Sequence, residues 1–340
     1  MSTVLIFVFD GLQPSQVNTR LTPNLSAFAD GGVNFANHHS TFPTVTRVNC
    51  SSIVTGMSAG GHGMHGNRFA IVDFDSNQAI MALKPEFEQV VEAGMPVLLA
   101  PTLGEILGRH GKEYVSVVVG TTGNAYLHNP TAEVSGGATI HREFTIPSEL
   151  HESIVNRFGP WPEEVLPNTA MLAQARRVLT EYVLPERMPA VAMIWGAEPD
   201  STQHATGVGS SQSDIALKAA DEQFGDLMQW LQETGRAEDT DVFVVSDHGA
   251  STVSASAGIE EWVKEAGFPS GGEPGGVIVA KNGGAALFYT PPGDMDTANR
   301  LAAWLMAQPW CGTVTASDAV AGIPGTLPAS LAGTEGSRAP

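Results

Sequence analysis

A chain of 340 residues, 42% of them hydrophobic, can bury a large core as one α/β domain, with or without an inserted cap. A net charge of −19 argues against a nucleic-acid polymer or a membrane as partner, but not against a small anion whose charge is met by bound cations. Two cysteines, Cys50 and Cys311, support neither a disulfide framework nor a cysteine-rich zinc site, which fits a reducing compartment.

The first apolar run, VLIFVFD (4–10), is short, lacks a basic leader and ends in Asp10 rather than at a small-residue cleavage site. It reads as a buried strand and not as a signal peptide. No run reaches the length of a membrane helix, and a cytoplasmic location is the expectation. A short helix is expected over 26–30, after Pro23. A turn at Pro43 then precedes a helix ending near Gly56, with Thr46 near its start and Asn49 one turn on. Residues 57–100 are rich in Gly, His and Met, become irregular, and read as a cap insertion. Thr102 and Glu105 have the spacing of a capping box, which opens a helix over 102–110. Strand YVSVVVG (114–120) follows, and the weakly periodic stretch 122–165 reads as a second cap insertion. Beyond it come a helix over 169–183, strand AVAMIWG (190–196), a helix over 211–234, strands DVFVVSD (241–247) and AALFYT (285–290), and a helix over 296–308. The strand runs are nearly continuous rather than alternating, as in a parallel sheet covered on both faces. The expected fold is one doubly wound α/β domain over 1–340, with a mostly parallel central sheet flanked by helices.

In open α/β sheets, ligands bind beyond the carboxyl ends of strands. Acidic residues end or closely follow three of these runs: Asp10 in VFDG, Asp200 with His204 in PDSTQH, and Asp247 with His248 in SDHG. Asp and neutral His are good ligands for zinc and similar cations. Taken singly, Asp10 also reads as a turn residue, Asp200 as a helix cap and Asp247-His248-Gly249 as a capped turn. Their joint placement is what points to a metal site. Thr46 would feel the positive end of its helix, where a metal-activated hydroxyl can act as a nucleophile, and Asn49 could aim an amide N–H at developing phosphoryl charge. The plainer reading is that Thr44 or Thr46 serves only as an N-cap.

The ordered set FDG, PTVTRVNCSSIVTG (43–56), EPDSTQHATG (198–207) and SDHG, with TPNLSAFADGGV (22–33) and HGMHGNRF (62–69), resembles the nucleotide pyrophosphatase/phosphodiesterase and phosphonoacetate hydrolase families of the alkaline phosphatase superfamily. The resemblance spans residue 4 to about 250. It implies an alkaline phosphatase-like fold and two divalent metal ions, usually Zn2+. One ion would be held by Asp10, Asp247, His248 and Thr46, the other by Asp200, His204 and a further His. It also implies attack by the threonine on phosphorus. Thr46 is chosen over Thr44 because the family's nucleophile precedes an x-x-Asn step, here Arg47-Val48-Asn49. The expected substrate is a small phosphate diester or a related phosphate or phosphonate ester, and a homodimer is the oligomer to test for. The alternatives are phosphonate C–P bond hydrolysis and a metal-poor binding protein of the same fold. A sulfatase is disfavoured because residues 50–54 lack the C/S-x-P-x-R pattern, and a phosphoglycerate mutase would want a serine nucleophile.

Two departures stand out. No His follows His248, where the resemblance asks for a last metal ligand, so truncation relative to the family is expected; His38, His39, His62 and His65 are the candidate substitutes. The segment GTTGNAYLHNP (120–130) lacks the lysines that the resemblance associates with phosphonoacetate binding. Cys50 is expected to be a buried structural thiol.

Overall fold

The N-terminal apolar run forms an inner strand of the molecule's main sheet, paired on both sides. The computed structural model describes residues 2–320 and 322–340. Among these, six strands make one sheet: β1 (Thr3–Phe9), β2 (Tyr114–Val118), β3 (Ala138–His141), β4 (Thr145–Ile146), β5 (Val191–Gly196) and β6 (Thr240–Val245), in the order β4-β3-β2-β5-β1-β6. All neighbours are parallel except β3 and β4. The mostly parallel sheet flanked by helices is as expected.

Contacts divide the chain into two compact units. The first comprises residues 1–40 and 101–253 and holds the six-stranded sheet. Leu5, Phe7 and Phe9 of β1, Val115 and Val117 of β2 and Ile194 of β5 point to one face. They pack there with Phe224 and Leu227 of helix Ser211–Glu233 and with Met171 and Leu172 of helix Thr169–Val178. Each such side chain contributes about 1.5–3 kcal/mol when fully buried. The alternate residues Val8, Val118 and Trp195 are buried too, which explains the unbroken apolar runs. Strand β6 departs from this pattern, because it is an edge strand and Phe243 is 49% exposed.

The helix expected over 26–30 runs Pro23–Gly31. Its free N–H groups at Asn24 and Leu25 donate to the buried carboxylate of Asp221, on helix Ser211–Glu233, at 3.0 and 2.8 Å. The helix expected over 169–183 stays α-helical to Val178 and continues as a π-helix, Leu179–Arg187, that contains Pro185. Proline has no N–H for the α-helical ladder, so the widened turns fall around it. Residues 122–165 hold helices Thr122–His128 and Leu150–Phe158 together with β3 and β4, which extend the sheet.

The second unit comprises residues 41–100 and 254–340. Here the run 285–290 corrects the expectation that it joins the parallel sheet. It forms β8 (Ala285–Tyr289), antiparallel to β7 (Ile278–Asn282) in a separate two-stranded sheet. The two-residue Gly283-Gly284 turn is the reason: Gly283 takes φ +62°, the conformation tight hairpins require, and folds β8 back on β7. Val263, Phe268, Leu301 and Leu305 pack with Val277 and Val279 in a core of their own. Among the described residues no helix is long and apolar enough to cross a membrane.

Candidate functional site

In the first unit, the register of β5, β1 and β6 brings the acidic strand ends together. Phe9 pairs with Gly196 and Val8 with Val245, so Asp10 and Asp247 leave neighbouring strands at almost the same level. The main chain stitches these ends. Asp10 N donates to Gly196 O at 3.3 Å, Asp200 N to Asp10 O at 3.0 Å, and Gly11 N to Asp247 Oδ1 at 3.1 Å. Gly11 sits at φ +74°, and a Cβ there would lie 2.9 Å from Asp200 Cβ. Only glycine lets the two segments approach this closely.

Asp200 and His204 lie four residues apart on helix Asp200–Thr206, with His204 Nε2 3.4 Å from Asp200 Oδ1. The buried carboxylate of Glu198 aims this helix. It accepts from Asn168 N at 2.8 Å, Thr202 N at 3.0 Å and Thr202 Oγ1 at 2.9 Å. Glu198 was not singled out by sequence pattern, although it stands two residues before Asp200.

Asp10, Asp247 and His248 offer one ligand atom each, all within 4.8 Å of one another. His248 Nε2 lies 3.6 Å from Asp10 Oδ1 and 3.3 Å from Asp247 Oδ2. Burial, then the charges of Asp247 and Asp200, push the Asp10 carboxyl well above the usual carboxylate range. Burial also raises Asp247 to about 7, with the charge of Asp200 adding to it, although the Gly11 and His248 N–H groups pull it back down. Asp10 Oδ1, Asp247 Oδ2 and Asp200 Oδ1 are buried and accept no hydrogen bond from the protein. Buried carboxylates in this state need a cation or a proton. His248 Nδ1 lies 2.9 Å from Gly249 O. A carbonyl only accepts, so Nδ1 carries a proton there and Nε2 is the ring nitrogen that faces the carboxylates, the arrangement of a metal-binding histidine. The donor set of carboxylate oxygens and one imidazole fits a divalent cation such as zinc.

In the second unit, Thr46 opens helix Thr46–Thr55, which ends at Gly56 with φ +70°. Thr46 is buried and Thr44 is exposed in the preceding loop. Val45 at the N-cap offers no side-chain bond, and Asn67 supplies it from twenty residues on, accepting from Arg47 N at 3.1 Å. Asn49 Oδ1 accepts from Thr41 N at 2.6 Å, and its amide nitrogen donates to Thr41 O and Val45 O, both at 3.2 Å. These bonds brace the loop leading into Thr46 and occupy the amide that was expected to face substrate. Asn67 lies inside the HGMHGNRF segment, where no local spacing marks it as the cap of a helix twenty residues earlier.

Of the candidate substitute ligands, His38 and His39 are exposed. His62 is engaged at both ring nitrogens: Nε2 lies 3.0 Å from Ser52 Oγ, and Nδ1 accepts from Met64 N at 3.1 Å. Burial lowers its pKa to about 3, and that of the buried His65 to about 4. None of the four belongs to the Asp10–Asp247–His248 cluster. Cys50 is buried, as expected.

The family model for type I phosphodiesterase / nucleotide pyrophosphatase matches residues 4–309. Mouse ectonucleotide pyrophosphatase/phosphodiesterase family member 1 is 24% identical over 248 residues, 72% of this chain and 24% of that protein. A venom phosphodiesterase of Naja atra is 23% identical over 259 residues, 75% of this chain and 27% of that protein. The chain thus spans about a quarter of the length of these curated relatives. Among solved structures, inactive murine ectonucleotide pyrophosphatase/phosphodiesterase 5 in complex with AMP superposes with a TM-score of 0.64 at 17% identity, covering 91% of this chain and 71% of that one. Phosphonoacetate hydrolase from Sinorhizobium meliloti in complex with phosphonoformate gives 0.63 at 17% identity, covering 90% and 73%.

Proposed function

Because the chain belongs to the type I phosphodiesterase / nucleotide pyrophosphatase family, we propose that it hydrolyses a small phosphate diester or a related phosphate or phosphonate ester, with Thr46 as nucleophile. The observation that carries this reading is the buried group of unpartnered carboxylate oxygens beside His248, in a family of phosphoric ester hydrolases.

Asp10, Asp247 and His248 would hold one divalent ion, and Asp200 with His204 a second; Zn2+ is the metal proposed. Bound there, the ions supply positive charge for the phosphoryl oxygens and lower the pKa of a hydroxyl or water. The roles of the residues follow from each unit's own geometry and from the family's ordered motifs. The Thr46 hydroxyl loses its proton to solvent and its Oγ forms a bond to phosphorus while the bond to the leaving oxygen breaks. The leaving group takes up a proton and departs. Water then attacks the phosphothreonine, releasing the phosphoryl product and restoring the hydroxyl. Asn67 fixes the first turn of the Thr46 helix, and Asn49 fixes the loop before it. Glu198 and Gly11 set the angle at which Asp200 is presented.

AMP and phosphonoformate in the neighbouring structures make nucleotide diesters and small phosphonates the first compounds to screen. The direct test is hydrolysis of a chromogenic phosphodiester by the Zn2+-supplemented chain and by Thr46→Ala. The variant is expected to lose at least about a thousandfold in kcat while keeping its melting temperature. Full activity in Thr46→Ala would remove the nucleophile assignment. A wild-type chain that binds Zn2+ yet turns over no ester would favour a binding protein of the same fold.

A further inference from the structure

We propose that Trp195 is a positioning residue for the metal centre. Its indole N–H holds one oxygen of Asp10, so that the other oxygen is left to serve as ligand. This rests on the reading of Asp10, Asp247 and His248 as a cation site.

The two oxygens of a carboxylate are chemically equivalent until something distinguishes them. Here Trp195 Nε1 donates to Asp10 Oδ2 at 3.0 Å, whereas Oδ1 is buried, receives no hydrogen bond, and faces His248 Nε2. Indole has a donor and no acceptor, so this contact always orients the carboxylate in the same sense. A neutral donor also leaves the negative charge of Asp10 available to a cation, whereas a lysine or arginine in the same place would compete for it.

The position of Trp195 is itself fixed. It lies on β5, fully buried, paired in register with Val8 of β1 on one side and Val118 of β2 on the other. The His128 ring meets it edge-on, with centroids 5.2 Å apart. His128 Nδ1 lies 3.0 Å from the hydroxyl of Tyr114, which reaches Met193 Sδ at 3.4 Å. Tyr114, His128, Trp195 and Asp10 therefore form a continuous buried rail across β2, β5 and β1. Burial keeps His128 uncharged, with its pKa lowered to about 3, so the rail brings no positive charge towards Asp10. A buried indole N–H needs an acceptor, and here the acceptor is the carboxylate that ends β1 rather than a backbone carbonyl.

The test is Zn2+ affinity of the metal-free full chain, measured by competition with a chelating dye, for wild type, Asp10→Ala and Trp195→Phe. Trp195→Phe keeps an aromatic ring and removes the donor. Its affinity is expected to fall about 10–100-fold, the effect typical of losing an outer-shell partner, at temperatures where circular dichroism shows it folded. A folded Trp195→Phe with wild-type affinity would overturn the positioning role. If wild type shows no Zn2+ binding that depends on Asp10, the reading of the cation site fails instead. If Trp195→Phe does not fold, the decision falls to the Trp195 indole N–H resonance in wild type. It is expected to shift in step with Zn2+ saturation, and a resonance that stays put at saturation would overturn the proposal.

Discussion

At Gly11 a single hydrogen atom stands where any other residue would put a carbon 2.9 Å from Asp200 Cβ, at a backbone φ that side chains resist. Gly11→Ala is therefore expected to cost about 1–3 kcal/mol, read as a lowered urea midpoint. It should also move Asp200 off its bond to the Asp10 carbonyl, so the pair Asp200–His204 should lose metal before the Asp10–Asp247–His248 group does. Metal stoichiometry measured alongside the urea titration checks both parts. The acidic residues themselves were legible in the sequence because each follows an apolar run and precedes a turn or a helix. Gly11 and Glu198 lie inside those motifs and Trp195 just before one, but the local pattern marks none of them as a site residue. Their roles are to support residues far away in sequence, as with the 185-residue separation between Trp195 and Asp10, and no local spacing encodes such a pairing. Asn49 shows the reverse case. It was read as a substrate contact from its place in a motif, and here it is bonded to Thr41 and Val45.

Among the elements, β1, β2 and β5 were legible because strands buried on both faces leave long apolar runs, and β6 carries the same kind of run although its residues are only partly covered. Strands β3 and β4, with four and two residues, are too short to show a period, and the stretch around them looked irregular. The run 285–290 has the composition of a central strand, and only the paired glycines before it signal a hairpin. Strand β6 carries its own consequence. Its sequence is that of an interior strand, yet it lies at the sheet edge with Phe243 half exposed and without the lysine or proline that commonly protects edges. Phe243→Lys is expected to raise the concentration at which the chain self-associates, with little change in melting temperature. Light scattering against concentration measures this, and unchanged association would mean that the edge is not the sticky surface.

For the whole molecule, two sets of buried groups set opposite pH limits. His62, His65 and His128 have pKa values lowered to about 3, 4 and 3, so the unfolded chain binds more protons than the folded one below about 6.5. Stability from these groups is full above that pH and is lost as pH falls through the lowered values. Asp10 and Asp247 are raised above the ordinary value of 3.8, Asp247 to about 7, so their contribution is full below that ordinary value and is lost as pH rises to the raised values, which for Asp247 is complete just above about 7. With a chelator present, the melting temperature should therefore stop rising near pH 6–7 and gain nothing from these groups up to pH 9; added Zn2+ should raise it most at the alkaline end, where the carboxylates are ionised. A melting temperature that keeps rising to pH 9 in chelator would contradict this account of the carboxylates. The division into two units also has a consequence in time. The first unit has all its residues once position 253 has emerged from the ribosome, but the second draws on 41–100 and on 254–340. Arg68 waits for Asn282, whose side chain both donates to its carbonyl and accepts from its N–H across 214 positions. At ordinary rates of synthesis that is a delay of roughly 10–40 s. During it the segment carrying Thr46 has only its own local contacts, such as Asn67 on Arg47 and His62 beside Ser52, and a chaperone or a protease would meet it still waiting for the strand that holds Asn282.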